Sequence, residues 1–415
     1  MAGLTRQVLG YLRCATKTTA DMRFGIFFLV LGYMLSQFYR AFLAVLTPVL
    51  KTDVGAQPDD LSLASGLWFL AFAVMQLPVG WALDKIGPRR TASVLLAFGG
   101  AGGAVVFALA QTPLHINIAM ALIGIGCSPV LMASYFIFAR SFSPAVFATL
   151  ASSILAVGIL GNIASSLPLT WASQAYGWRE TLFVLAGLTL LVSVAMFVFI
   201  KDPEAVVDED GNKGSVLDLL KIPGLWLIFP MMFVNYAAVA GIRGLWIGPY
   251  LGDVYGADAG AIGRAALVMS LAMVVGNFAY GPLDRVFGTR KWIVVIGNLA
   301  GAGAMFTLLF YPSHSIWMSI ALMAAIGLFG SSFAVLIAHA RSFFPPHLTG
   351  RGVTLLNLFG IGGAGIMQSF SGRVHGAALV GATDAAQAYQ ALFLFFGVAI
   401  LIGVSIYLFS QDRTD

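Results

Sequence analysis

Charge is scarce in this sequence. Of 415 residues only 10% are Asp, Glu, Lys or Arg, while 59% are hydrophobic. Soluble domains average about 25% and 45–50%, so this chain has too few charges to cover a water-exposed surface. Cysteine is scarcer still, with Cys14 and Cys127 alone, which leaves neither a disulfide framework nor a Cys-rich metal site. No nucleophile–base set and no nucleotide motif supports an enzyme. Gly360-Ile361-Gly362-Gly363-Ala364-Gly365 has the form G-x-G-x-x-G, but it follows an apolar helical run rather than a strand, so dinucleotide binding is not expected. The first 22 residues lack an apolar core with a small-residue cleavage site, and no signal peptide is read. Leu4, Val8 and Leu12 leave two readings of this tail open, a short interfacial helix or a frayed end. A net charge of +5 would suggest nucleic acid in a soluble protein. Here the basic residues sit in loops, where membrane orientation explains them, and no nucleic-acid partner is expected.

What the chain has in abundance is long apolar runs. A membrane-spanning helix needs roughly 20 apolar residues. Twelve such runs are read, at about 24–50, 61–83, 91–111, 115–139, 145–171, 180–200, 223–250, 260–283, 292–311, 315–339, 350–376 and 387–410. The longest polar stretch, Lys201 to Lys221, falls between the sixth and seventh and contains Asp202, Glu204, Asp208, Glu209, Asp210 and Lys213. The expected layout is a cytoplasmic tail over 1–23, a six-helix bundle over 24–200, a cytoplasmic linker over 201–222, a second bundle over 223–410 and a tail over 411–415. Positive charge sets the orientation. With the amino terminus inside, only Lys51, Arg179, Arg264 and Arg373 fall outside, and Arg40 and Arg243 lie within helices; the rest of the 23 Lys and Arg are cytoplasmic. Both termini are therefore expected in the cytoplasm, in a multi-pass protein of the cell's inner membrane.

The sequence also repeats itself. Gly80-Trp81-Ala82-Leu83-Asp84-Lys85-Ile86-Gly87-Pro88-Arg89-Arg90 is a charged turn between two apolar runs. A related turn returns as Gly281-Pro282-Leu283-Asp284-Arg285-Val286-Phe287-Gly288-Thr289-Arg290-Lys291, with the glycines 201 positions later. At the same offset Pro48 meets Pro249, Gly55 meets Gly256, and Ala139-Arg140-Ser141-Phe142 meets Ala340-Arg341-Ser342-Phe343. The first turn resembles the signature G-x-L-a-D-r-x-G-r-r of major facilitator superfamily transporters, with Ala82 where that family prefers Leu. In the second copy Asp284 comes one residue early. The resemblance covers nearly the whole chain. It implies an all-α membrane protein of twelve transmembrane helices in two pseudo-symmetric six-helix bundles, with the substrate between them near the midplane. It further implies a cytoplasmic gate at these loops, built from Asp84, Arg89, Arg90, Arg140, Asp284 and Arg341. Ordinary surface ion pairs that only mark topology are the plainer alternative.

Arg40 is the sharpest candidate for binding. It lies roughly 5 Å from the middle of the first helix, where a charge costs at least ~2.5 kcal/mol, so it is expected to face a cavity or a partner. Its place eight residues before Pro48 resembles organophosphate/phosphate antiporters and, with Arg243, anion/cation symporters. Arginine suits carboxylate and phosphate because its planar donors bind two oxygens at once. Arg243 precedes Pro249 by only six residues and is read as a second anion contact, as a periplasmic-side gate residue or as the partner of a neighbouring helix. Gln37, Tyr39, Tyr135, Trp246 and Asn357 are further expected cavity residues, with interhelical hydrogen-bonding glue the alternative for several of them. All 18 Asp and Glu fall in loops, tails or helix ends, which disfavours a buried carboxylate relay for protons or a counter-ion for cationic drugs. His339 is the best-placed titratable alternative, while His115, His314, His347 and His375 are expected in loops or at helix ends. The expected function is secondary active or facilitative transport of a small organic anion by alternating access, as a monomer in the bilayer, without cofactor or resident metal. A metal-ion importer on the same scaffold and a non-transporting receptor or assembly factor are the alternatives.

Overall fold

The computed structural model describes residues 24–142, 144–203, 216–345 and 349–414. The tail over 1–23, most of the expected linker (204–215), His347 and residue 415 lie outside the described residues. Every element among the described residues is helical. Among the described residues nine helices are each long and apolar enough to cross a membrane, two bent pairs make up to two more spans, and Thr349–Leu379 is a further helix of 31 residues. The first span is bent by 51° between Phe24–Tyr39 and Leu43–Asp53, and the fifth by 42° between Ser153–Ala164 and Leu167–Tyr176. The second to fourth are Pro58–Lys85, Pro88–Ala108 and Pro113–Ser141, and the sixth is Trp178–Phe199. The seventh to tenth are Pro223–Tyr255, Ala259–Phe287, Lys291–Phe310 and Ile316–Arg341. The eleventh is Thr349–Leu379 and the twelfth Ala385–Tyr407.

Local sequence accounts for the ends. Pro58, Pro88 and Pro113 each open a helix, where the missing N–H has no partner to lose. Gln57 and Asp60 form a capping box that starts the second span three residues earlier than hydropathy alone suggests. Asp258 caps the eighth by accepting the Ala261 N–H at 2.7 Å. The duplicated glycines do equivalent work in both halves. Gly55 and Gly256 have φ of 71° and 62°, and Gly87 and Gly288 have φ of 97° and 63°. A side chain is strained there, so each pair ends a helix at the same point of the repeat.

Packing forms two bundles. In the first, the second and third spans pack on the fourth and the sixth packs on the third; in the second, the seventh packs on the eleventh and twelfth and the ninth on the twelfth. Small residues allow the closest approaches, as where Gly99 lies against the backbone of Gly126. The bundles meet through the first and seventh, second and eleventh, and fifth and eighth spans. Between the second and eleventh the contact begins with Asp59 against Gly376. It continues through Ser62 against Gly372 and Gly66 against Ser369, and reaches Ala73 opposite Gly362.

Charged pairs divide the molecule's two ends. At the Lys51 end they cross between the halves, Lys51 pairing with Asp253 at 3.2 Å, and beside it the His375 ring lies 3.6 Å from the Asp59 carboxyl of the other half. At the opposite end, among the described residues, they stay within one half: Arg140 with Asp84 at 4.0 Å and Arg290 with Asp284 at 3.3 Å.

Candidate functional site

Arg40 sits at the bend of the first span rather than inside a continuous helix. Its side chain is half-buried, and its guanidinium carbon lies 5.1 Å from the Trp68 ring, 6.0 Å from Phe69, 5.6 Å from Phe72 and 5.8 Å from Tyr236. Nη1 donates to the Tyr236 hydroxyl at 3.2 Å. Tyr236 belongs to the seventh span, so this bond crosses between the halves. Nε is buried without an acceptor. The titratable groups facing the cation are Tyr33, Tyr236 and Cys127, and no carboxylate pairs with it among the described residues. Aromatic faces attract the cation by about 0.5–2 kcal/mol each, but none carries a negative charge. Among the described residues, the site is a cation held in rings.

Gln37, one turn before Arg40, donates to Tyr33 at 2.8 Å and keeps Oε1 unpaired. Tyr135 and Asn357 are half-buried on the fourth and eleventh spans. Two other expected contacts turn away from this region. Tyr39 is fully buried and its hydroxyl bonds Thr189 of the sixth span at 2.9 Å. Trp246 is fully buried too and donates to Ser371 at 2.8 Å, within the second bundle. Helical rotation turns Tyr39 about 100° away from Arg40, into its own bundle, and Trp246 packs against His375 and Tyr389 of the second.

Arg243 is not a second open cation. It lies in a π-helical turn, Ile242–Trp246, and is 3% exposed. Nε donates to Ser270 at 2.9 Å, and Nη2 donates to Ser165 at 3.1 Å and to the Asn162 carbonyl. The last two partners belong to the other half and sit where the fifth span breaks. Free carbonyls at a helix C-terminus attract a cation, so Arg243 joins the halves through that break. The two-residue difference in proline spacing foreshadowed this different projection.

The charged turns are tied down locally. The Arg89 N–H and Nε donate to Asp202 at 2.8 Å and to the Phe197 carbonyl at 2.6 Å. Arg290 and Lys291 donate their backbone N–H to Asp412 at 3.1 and 3.0 Å. In each half the residue just past the last span thus caps the helix after the charged turn. Arg90 and Arg341 are exposed. Burial raises the Asp412 carboxyl, but hydrogen bonds from Thr289 and from the Lys291 and Arg290 backbone outweigh it and hold the group below its ordinary value.

His375 corrects the sequence reading. It lies within the eleventh span, 3% exposed, between the Trp246 and Tyr389 rings at 4.9 and 4.8 Å and opposite Asp59 of the other half. Spacing gave no hint of this, because Asp59 and His375 meet only through the fold. His339 is buried and structural: its ring nitrogens lie 2.6 Å from the Tyr407 hydroxyl and 2.8 Å from the Gln411 carbonyl, tethering the C-terminal segment. Among the described residues no three His, Cys, Asp or Glu converge as metal ligands.

Comparison with known proteins agrees with this architecture. The chain is 29% identical over 222 residues to a gentisate transporter of Corynebacterium glutamicum, covering 50% of this chain and 48% of that protein. The chain thus spans about half the length of that relative. It is 24% identical to the sialic acid transporter NanX of Escherichia coli, covering 80% and 82%. Among solved structures, a D-xylose–proton symporter aligns with a TM-score of 0.75 at 14% identity, over 95% of this chain and 99% of that one. The profile of the Major Facilitator Superfamily matches residues 29–246 and 228–415. Those matches take in almost all of both bundles, and the chain belongs to the Major Facilitator Superfamily.

Proposed function

We propose that this protein is a secondary transporter that carries a small organic anion across the inner membrane by alternating access, with Arg40 as the anion's anchor. One observation carries the reading: a half-buried arginine, ringed by aromatic faces, with no carboxylate paired to it among the described residues. A bound anion would offset the desolvation of that charge. Relatives support the same class, since several are named as carriers of gentisate, sialic acid, sulfoacetate and hexuronate.

The contacts suggest how the cycle works. Both termini and the charged turns face the cytoplasm in this proposal, so the Lys51 end is the outer one. The state described is then closed outside, by Lys51–Asp253, Asp59–His375 and Arg243, and inward-facing. Arg40 belongs to the first half and Tyr236 to the second, so an anion held by both senses their separation. Asp84, Arg89, Arg90, Arg140, Asp284 and Arg341 form the inner gate. Asp84 pairs with Arg140 and Asp284 with Arg290 within each half here, and the gate's acidic and basic members re-pair across the halves when the inner side closes.

A thermal-shift screen tests the anchor. Purified wild-type protein is heated with carboxylates, sulfonates, phosphate esters, amino acids and divalent cations. At least one organic anion raises the melting temperature of the wild type and leaves Arg40→Ala unmoved. Stabilisation by a divalent cation alone would overturn the proposal.

A further inference from the structure

The walls around Arg40 distinguish among organic anions. We infer that the transported anion is an aromatic monocarboxylate, its carboxylate on Arg40 and its ring against Tyr236 and Phe333. This rests on the anion reading above and narrows it.

Of the two intramembrane arginines, Arg40 is half-buried while Arg243 is 3% exposed. Arg243 spends Nε and Nη2 on Ser270, Ser165 and the Asn162 carbonyl. A doubly charged phosphate ester would meet one cation, and a monocarboxylate is matched by one. The Arg40 Nη1 and the Tyr236 hydroxyl already lie 3.2 Å apart, so a single carboxylate can bridge both donors.

The walls supply the rest. Trp68, Phe69 and Phe72 are buried and close off the far side of the guanidinium. Tyr236 and Phe333 are half-buried, with centroids 5.7 Å apart and planes inclined by 52°. Gly360 fixes the second ring, because a Cβ there would come within 2.7 Å of Phe333. Rings in this arrangement take a further aromatic ring at centroid separations of about 4.5–7 Å. A sugar acid fits poorly beside them. Each of its hydroxyls gives up water and needs a polar partner in return, and a polar group left unpaired is penalised. Among the described residues, the polar side chains placed beside Arg40 are Gln37, the Cys127 thiol and the Tyr33 and Tyr236 hydroxyls, few partners for a polyhydroxylated chain.

The test compares probes that isolate the ring. Binding of benzoate, cyclohexanecarboxylate, glucuronate and glucose 6-phosphate to the full-length protein in detergent is measured by calorimetry. Benzoate and cyclohexanecarboxylate share the carboxylate and differ in the ring's π-faces. We expect benzoate to bind about tenfold more tightly than cyclohexanecarboxylate and more tightly still than glucuronate. Phe333→Leu keeps volume and removes the ring, and it should reduce the preference to about twofold; Tyr236→Phe keeps the ring and should retain most of it. A monodisperse elution profile checks that each variant is folded. Equal affinity for the two carboxylates overturns the aromatic assignment. So does tighter binding of glucuronate or the phosphate ester, and if that binding needs Arg40 the anion reading survives. Failure of every anion, with Arg40→Ala indistinguishable from wild type, overturns both.

Discussion

Replacing Arg243 by alanine should release the outer closure. Two of this residue's hydrogen bonds reach the other half, to Ser165 and to the Asn162 carbonyl. Hydrogen bonds from a charged donor contribute about 1.5–3 kcal/mol each, so the pair is worth about 3 kcal/mol at the lower figure. Nη1 is buried without a partner, and removing that burden offsets about 1 kcal/mol. The remaining ~2 kcal/mol acts only in the state where the halves touch at this end. It shifts the balance between states by about thirtyfold, at 1.4 kcal/mol per factor of ten. Spin labels at Thr52 and Thr383, exposed on opposite halves at this end, measure the separation once Cys14 and Cys127 are replaced. The distance distribution of Arg243→Ala should gain a longer component that the parent lacks, and Arg243→Lys a smaller one. A distribution identical to the parent's would refute the reasoning and return Arg243 to an ordinary packing role.

Other outcomes follow from neighbouring contacts. Asp84→Asn should slow transport without lowering the melting temperature, because the pair with Arg140 is 4.0 Å long with Asp84's side chain 64% exposed, and such pairs add under about 1 kcal/mol; unchanged turnover would count against an inner gate. Gly66→Ala should force the second and eleventh spans apart, since a Cβ there meets Ser369 and comes within 2.9 Å of the Gly365 carbonyl; overpacking of this kind costs about 1–3 kcal/mol, and lengthened Thr52–Thr383 distances would register it. The docked C-terminal segment should resist acid. Asp412 is depressed in the folded protein, so its contribution is complete above the ordinary carboxylate pKa of about 3.9 and is lost only as pH falls through its lower folded value. Fluorescence anisotropy of a dye at Thr414, titrated downward from pH 7, should therefore fall later in wild type than the segment's ordinary carboxylates would predict, and Asp412→Asn should be loose at every pH.

The fold was legible because membrane insertion and duplication both write periodic signals. Apolar runs mark spans, and the offset of 201 aligns Gly55 with Gly256 and Gly87 with Gly288, whose backbones share positive φ. Arg40 was legible because an intramembrane charge is costly wherever it lies. Its surroundings were not, since Trp68 and Tyr236 approach only when the second and seventh spans pack on the first. The same holds for Asp59 and His375, which no spacing relates. Tyr39 and Trp246 were misplaced for a finer reason: a residue's depth follows from counting along a helix, but the face it presents follows from which neighbours the helix has. Asp202 and Asp412 looked like linker and tail charges, yet each finishes a helix in its own half.

The central claim is that an organic anion moves through this protein by way of Arg40. Proteoliposomes adsorbed on a solid-supported membrane give a transient current when a substrate anion is added and carried. Wild-type protein should respond to at least one of benzoate, glucuronate and glucose 6-phosphate, Arg40→Lys should need a roughly tenfold higher concentration, and Arg40→Ala should be silent. A current of undiminished size and affinity in Arg40→Ala, or silence of the wild type toward every anion, would contradict the account.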